Sequence, residues 1–179
     1  MTESNFVLQF DVSEIPGLAA RYVVDDQGAD DQALRAGREI LSGNYSRDNL
    51  QTIFRWKTGG RGISRLKRNT DEEIADALQL AIRAAADRSA VAVLCGLSGV
   101  EVPVASAILT AINPERFTII DFRALESLGV TDRQSYYTID FFIDYLRFCR
   151  GLADRCRAGL RTLDRALWQW SKEKAAAKR

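Results

Sequence analysis

Residues 94–123, LCGLSGVEVPVASAILTAINPERFTIIDFR, decide how this chain folds. The first four residues close one helix, residues 98–101 form a tight turn, and a second helix covers 102–112. In the second helix, apolar side chains recur three and four residues apart, which places one face inward. A short break with Pro114 follows, and Asp121 lies where a third helix is expected to begin. The stretch predicts a helical hairpin followed by a short third helix.

The composition is typical of one globular domain that spans residues 1–179. Hydrophobic residues make up 46% of the chain, which is enough for a core, and charged residues make up 27%. No apolar run reaches the roughly 18 residues that a membrane span needs, and the N-terminus lacks the features of a signal peptide. We therefore expect a monomeric cytoplasmic protein without membrane contact, associated with the nucleoid if the source is bacterial.

The chain contains no histidine and only three cysteines, Cys95, Cys149 and Cys156. The absence of histidine excludes Ser-His-Asp and Cys-His catalysis and every histidine-ligated zinc hydrolase. Three cysteines without a Cys-x-x-Cys pair predict reduced thiols and no metal site. An enzyme of this composition must work with carboxylates, lysines, hydroxyls or backbone groups.

Charge is distributed unevenly along the chain, although the net charge is only +1. Residues 1–31 carry seven acidic side chains and one basic side chain, Arg21. Residues 55–68, the basic segment, carry no acidic side chain and six basic ones: Arg55, Lys57, Arg61, Arg65, Lys67 and Arg68. Such a patch on a nearly neutral protein is typical of nucleic-acid contact, although a solvated helix face has the same pattern.

Helical periodicity accounts for almost the whole chain after a short extended segment at residues 6–10. Ser13 and Ser46 are placed to cap helices, and Thr70 and Thr131 each open a capping box. The predicted helices cover 13–23, 30–41, 46–58, 63–68, 70–87, 89–95, 102–112, 121–129, 136–157 and 161–171, followed by a fraying tail. We therefore predict an all-α fold, an orthogonal array of about ten helices in two closely packed helical subdomains.

The glycine turn of the hairpin is suited to binding an anion. Backbone N–H groups at a helix N-terminus bind an anion without any side chain, and the helix dipole favours its charge. A DNA phosphate held in this way is bound regardless of base sequence. Gly99 permits the turn, and the small Ala105 lets the two helices pack closely.

The same stretch resembles the helix-hairpin-helix DNA glycosylase superfamily. Members share a turn of the form L-x-G-V-G-x-K-x-A, a helix, a short loop, and a catalytic aspartate after two apolar residues. Here residues 97–100 match the turn, Ala105 matches the small position, and residues 119–121 match the aspartate segment with the family's spacing. The resemblance implies that five hairpin residues bind the DNA backbone: Gly96, Ser98, Gly99, Val100 and Val102. It implies no cofactor other than a structural monovalent cation at the hairpin.

Two residues depart from the family pattern. Glu101 replaces the second turn glycine, and its carboxylate repels a neighbouring phosphate. Pro103 replaces the lysine of the bifunctional members, and proline cannot form a Schiff base. The resemblance therefore implies the monofunctional mechanism, without β-lyase activity at that position.

The monofunctional mechanism needs one carboxylate. Releasing a base develops positive charge on the sugar, and the resemblance implies that Asp121 stabilises this charge and orients or deprotonates the attacking water. The base must first be flipped into a pocket with aromatic or apolar walls. The predicted pocket and DNA contacts are Trp56, Lys57, Arg61, Arg123 and Tyr136, with Tyr137, Phe141, Phe142 and Trp168 as further aromatic candidates. Ordinary helix capping by Asp121 and core packing by most of the aromatic residues are the alternatives.

The predicted function is hydrolysis of the N-glycosidic bond of a modified base in double-stranded DNA, which leaves an abasic site. Damaged bases (oxidised, alkylated or deaminated) indicate base excision repair. A small stand-alone member could instead act in phage defence, on a hypermodified base such as glucosylated hydroxymethylcytosine. Two alternatives stay open: Glu101 and Pro103 suit a non-catalytic DNA-binding module, and the acidic residues 1–31 suit a helical protein-interaction domain.

Overall fold

The computed structural model describes residues 6–22, 28–131 and 137–177. Within these ranges the chain forms ten α-helices and no strand, which confirms the all-α prediction. A 3-10 helix (Val12–Glu14) is followed by α1 (Ile15–Ala20), α2 (Ala29–Leu41), α3 (Arg47–Thr58), α4 (Ile63–Leu66), α5 (Asp71–Arg83), α6 (Asp87–Cys95), α7 (Val102–Ile112), α8 (Phe122–Ser127), α9 (Ile139–Cys156) and α10 (Leu160–Ala177). None of the described helices is long and apolar enough to cross a lipid bilayer.

Helix α7 is the buried centre of the described structure. Every residue from 104 to 112 is buried, and the helix packs against α2, α3 and α6. Helix α2 approaches so closely that a Cβ atom on Gly37 would lie 1.9 Å from the carbonyl oxygen of Ala111. Any side chain at this position would collide with backbone atoms, so the contact requires glycine. The second helix of the hairpin is therefore anchored in the core.

Several helix ends lie where the capping residues predict them. The Ser46 side chain accepts a hydrogen bond from the Asn49 N–H at the start of α3. Thr70 and Glu73 form the predicted capping box at the start of α5. Gly59 ends α3 in the left-handed conformation, with a φ of 63°. These ends depend only on residues near in sequence, which is why the pattern predicts them.

Other predicted ends are wrong. Asp11, not Ser13, caps the first helical segment, because its carboxylate accepts from the Ser13 N–H. The helix predicted over 70–87 ends at Arg83, since Ala84 adopts an extended backbone with a ψ of 119°. Asp87 instead belongs to the first turn of α6.

The two longest helices also differ from the prediction. Helix α9 begins at Ile139 with Thr138 as its N-cap, whereas residue 136 was the predicted start. The capping box predicted at residues 131–134 falls mostly outside the described residues. Helix α10 continues past 171 to Ala177, where fraying was predicted. In this extension, Glu173 binds Arg21 at the end of α1 at 3.0 Å.

The segment between α7 and α8 is fixed by two buried hydrogen bonds. The Tyr145 hydroxyl donates to the Ile119 carbonyl oxygen at 2.8 Å. The Ile120 N–H donates to the Ser106 hydroxyl on α7 at 3.1 Å. Asp121 follows directly, so the core determines where its side chain lies. Helices α1 and α8 both pack against α10, which brings three distant segments towards this point.

Candidate functional site

Asp121 is the N-cap of α8 and lines a cavity. One carboxylate oxygen accepts a hydrogen bond from the Ala124 N–H at 2.9 Å. The other oxygen lies 3.6 Å from Nζ of Lys57 on α3, and this ammonium also donates to the Ile120 carbonyl oxygen at 3.1 Å. The Lys57 and Asp121 side chains are 13% and 25% exposed. Two groups thus orient the carboxylate while it stays accessible to a ligand.

The cavity beside Asp121 has a volume of about 200 Å³. Its lining comes from α3, from α10, from the end of α1 and from the segment before α8, which are far apart in sequence. The lining residues are Tyr22, Trp56, Lys57, Ile119, Asp121, Arg161, Asp164 and Trp168. Aromatic rings and charged groups therefore meet in one concave site, and ligands bind preferentially in concave sites.

The aromatic rings of the cavity carry cations on their faces. The Arg161 guanidinium lies 5.5 Å from the centre of the Trp56 ring and 5.6 Å from that of Tyr22. Trp168 meets Tyr22 edge to face at 5.3 Å, and the Arg123 guanidinium lies 5.2 Å from the Trp168 ring. Cation–π contacts of this kind stabilise the positions of the rings.

Arg161 is the centre of a buried ionic network. Its guanidinium donates to Asp30 on α2 and to Asp164 on α10, and Arg165 donates to the same Asp30 at 2.9 Å. The Arg161 side chain is only 14% exposed. Two carboxylates compensate the buried charge, as a desolvated guanidinium requires.

The charge of Asp121 acts on the carboxyl group of Asp164, which lines the same cavity. Burial raises the pKa of Asp164 to about 6, the charge of Arg161 opposes the rise, and the charge of Asp121 adds to it. Burial and then the charge of Asp121 also raise the pKa of Tyr137. The cavity therefore contains two carboxyl groups in different environments, one deeply buried and one accessible.

The hairpin turn accommodates Glu101 without strain. Glu101 has a φ of −100° and a ψ of 170°, an extended conformation open to any residue. Gly99 has a φ of 84°, and a Cβ atom there would lie 3.0 Å from the Leu66 nitrogen. Of the two glycine positions of the family turn, this chain therefore needs glycine only at the first. The Glu101 carboxylate lies 3.4 Å from a guanidinium nitrogen of Arg65, which partly neutralises it.

The hairpin offers fewer free donors than predicted. The N–H groups of Gly96 and Val100 donate to carbonyl oxygens inside the turn, and that of Ser98 donates to the Asn69 side chain at 2.8 Å. Among the described residues, no hydrogen bond occupies the N–H groups of Gly99, Glu101 or Val102. Unpartnered N–H groups at the N-terminus of a helix are the kind of donors that can hold an anion.

The basic segment lies against the hairpin. Five of its six basic side chains are exposed, namely Arg55, Arg61, Arg65, Lys67 and Arg68. A second cavity of about 140 Å³ is lined by Arg61 and Arg65 together with Gly99, Glu101 and Pro103. Two basic side chains of the segment therefore share one cavity with the turn residues Gly99 and Glu101.

The predicted site residues separate into three groups. Trp56 and Lys57 line the cavity of Asp121, and Arg123 lies over its wall at Trp168. Arg61 lines the hairpin cavity instead, and its guanidinium donates to the Thr58 carbonyl oxygen at 3.1 Å. Tyr136 lies outside the described residues, and of the further aromatic candidates Trp168 lines the cavity whereas Phe142 is fully buried in the core.

Four lining residues were missed: Tyr22, Ile119, Arg161 and Asp164. Asp164 carries a usable signal, because it lies among leucines on the apolar face of α10. A carboxylate on such a face is buried, and a buried carboxylate needs a partner such as Arg161 three residues earlier. No comparable signal marks Tyr22.

Within the described residues, no group of three or more Cys, Asp or Glu side chains could hold a metal ion. Comparisons of the chain with protein-family models, with curated proteins and with solved structures find no match. The function must therefore be inferred from the geometry of the site and from the residues that form it.

Proposed function

We propose that this protein is a DNA glycosylase that hydrolyses the N-glycosidic bond of a modified base flipped out of duplex DNA. The observation that carries the proposal is the position of Asp121, an oriented and accessible carboxylate in a cavity with walls of Trp56, Trp168 and Tyr22. The resemblance of residues 97–121 to the glycosylase superfamily, with its spacing intact, supports the same conclusion.

The chemistry follows from charge development. As the bond between base and sugar breaks, the sugar acquires positive charge, and the Asp121 carboxylate stabilises it electrostatically. The same carboxylate orients a water molecule and accepts its proton as the water attacks C1′. The departing base takes the bonding electron pair and a proton, and an abasic site remains.

The surface next to the cavity suits a DNA backbone. Gly99 and Glu101, whose N–H groups have no partner among the described residues, line the same small cavity as Arg61 and Arg65 of the basic segment. Helix α3 connects the two parts, because it carries Trp56 and Lys57 into the cavity and leads through Gly59 to Arg61. Phosphate binding there would hold the duplex while a base enters the cavity.

The test is base release from defined duplexes. Purified protein is incubated with duplexes that each carry one oxidised, alkylated, deaminated or glucosylated base, and abasic sites are then cleaved with hot alkali. We expect cleavage with at least one modified duplex, loss of it in Asp121→Asn, and retention in Asp140→Asn, whose carboxylate is 77% exposed on α9. DNA binding without base release across the panel, unchanged in Asp121→Asn, would show a binding module instead.

A further inference from the structure

Lys57 is the only primary amine among the described residues that line the Asp121 cavity. We propose that this amine captures the aldehyde of an abasic deoxyribose as a Schiff base and then cleaves the DNA strand by β-elimination. The proposal rests on the proposed function only in that the ligand is DNA, since an abasic site made by another enzyme would serve equally well.

The position of Lys57 favours chemistry over a surface role. Its side chain is 13% exposed, whereas the other basic residues of the segment 55–68 are exposed. Nζ is held between the Ile120 carbonyl oxygen at 3.1 Å and Asp121 Oδ2 at 3.6 Å. An aldehyde carbon that approaches Asp121 in the cavity therefore also approaches this amine.

The tertiary structure supplies an amine where the hairpin has none. Pro103 removes the amine from the first turn of α7, and this led to the expectation that lyase activity is absent. Lys57 reaches Asp121 from α3 instead, more than sixty residues away from it in sequence. The pairing of an amine with a carboxylate that can accept its proton is what nucleophilic amine catalysis requires.

The steps balance in atoms and charge. The Lys57 ammonium passes a proton to Asp121, and the free amine adds to C1′ of the open-chain aldehyde. Asp121 returns its proton to the carbinolamine hydroxyl, which leaves as water and gives the protonated imine. Asp121 then accepts a proton from C2′, the electron pair of that C–H bond forms the C2′–C3′ double bond, and the phosphate leaves C3′ with the electron pair of the C3′–O bond. Water hydrolyses the imine, which releases an unsaturated aldehyde on one strand end and regenerates the amine.

The experiment is borohydride trapping on a preformed abasic duplex. Full-length protein is mixed with a duplex whose single uracil was removed beforehand, sodium borohydride reduces any imine, and the covalent complex is resolved by gel. We expect a trapped complex that maps by peptide mass spectrometry to Lys57, and a nicked strand without alkali when borohydride is omitted. Mapping to another amine, or no complex at all, would overturn the proposal.

A substitution at Lys57 tests the role of its amine separately from that of its positive charge. Lys57→Arg keeps a cation at the Asp121 carboxylate but cannot form an imine, so trapping and nicking should fall at least tenfold while the melting temperature stays near that of the native protein. Lys174→Arg, on α10 against Trp170, is the matched control and should trap normally. Equal trapping by Lys57→Arg would refute the role. Because peptide mapping uses the native protein, the proposal stays testable if the variant fails to fold.

The proposed base excision and the proposed lyase step can fail separately. Preformed abasic DNA makes base release unnecessary. Trapping at Lys57 without base release from any modified duplex would therefore support the lyase activity and contradict the glycosylase activity. Release of a base with no trapping would contradict only the lyase.

Discussion

The carboxamide of Asn69 holds the backbone of Ser98 through two hydrogen bonds. Its Oδ1 accepts from the Ser98 N–H at 2.8 Å, and its Nδ2 donates to the Ser98 carbonyl oxygen at 3.0 Å. Nδ2 also donates to the Leu66 carbonyl oxygen at 2.8 Å at the end of α4. Asn69, only 6% exposed, thus joins the hairpin turn to the end of the basic segment. These hydrogen bonds help to fix the position of the turn relative to the basic segment.

Replacing Asn69 with alanine should destabilise the protein and weaken its binding to DNA. The substitution removes the partly buried hydrogen bonds between Asn69 and Ser98, each of which contributes about 0.5–1.5 kcal/mol of unfolding free energy. Denaturant unfolding followed by circular dichroism measures the loss, and Asn49→Ala, whose side chain donates to the Asn44 carbonyl oxygen, is the control. A change no larger than that of the control would show that Asn69 does not hold the turn.

Substitutions at Asp121 should separate its structural role from its chemical one. Asparagine caps a helix about as well as aspartate, so Asp121→Asn should fold normally and lose base release. Asp121→Ala should also lose about 1 kcal/mol of stability, because the Ala124 N–H loses its acceptor. Thermal melts and the duplex assay measure the two effects. Full activity in the asparagine variant would contradict a catalytic carboxylate.

Arg61→Ala should weaken DNA binding by a similar factor on every sequence. Arg61 is exposed beside the hairpin, and a side chain there can contact phosphate without reading bases. Loss of one phosphate contact reduces the salt dependence of the binding constant by roughly one unit of slope. Fluorescence anisotropy at several salt concentrations measures it, with Arg147→Ala on α9 as the control. An unchanged slope would remove Arg61 from the interface.

Removing the charge of Glu101 should strengthen DNA binding several-fold at low salt. The carboxylate lies next to the free backbone donors, where it repels a phosphate. Its exposed ion pair with Arg65 contributes only about 0–1 kcal/mol, so Glu101→Gln should fold with little loss. Glu101→Gly should add nothing further, because the extended backbone at this residue does not need glycine. Fluorescence anisotropy measures the DNA affinity, and the control Glu72→Gln, which replaces an exposed acidic side chain on α5, should leave this affinity unchanged.

Asp164 should make the protein less stable as pH rises through a defined window. Burial raises the pKa of this carboxyl from 3.8 to about 6, so between these values the folded state retains a proton that the unfolded state has lost. Stability therefore falls from about pH 4 to about pH 6. In Asp164→Asn this part of the dependence should disappear. Unfolding free energies of the two proteins across the window test this, and equal slopes would contradict it.

The helices could be predicted from the sequence because their causes are local. Ser46, Thr70 and Gly59 cap or end helices through atoms a few residues away, and those ends agree with the structure. The prediction was wrong at the end of α10, where Glu173 binds the distant residue Arg21. The close approach of α2 and α7 at Gly37 also could not be predicted, because nothing near Gly37 in sequence indicates Ala111.

The candidate site, like the fold, could be predicted from the sequence only where its causes are local. Residues 94–123 alone determined a hairpin with a glycine turn and an aspartate at the start of the next helix, since one continuous stretch encodes both. Only the tertiary structure placed Lys57 of α3 at 3.6 Å from Asp121 and surrounded the pair with Tyr22, Arg161 and Asp164. The physical reason is that spacing along a helix determines which face a side chain occupies, whereas the neighbours of that face depend on how all the helices pack together.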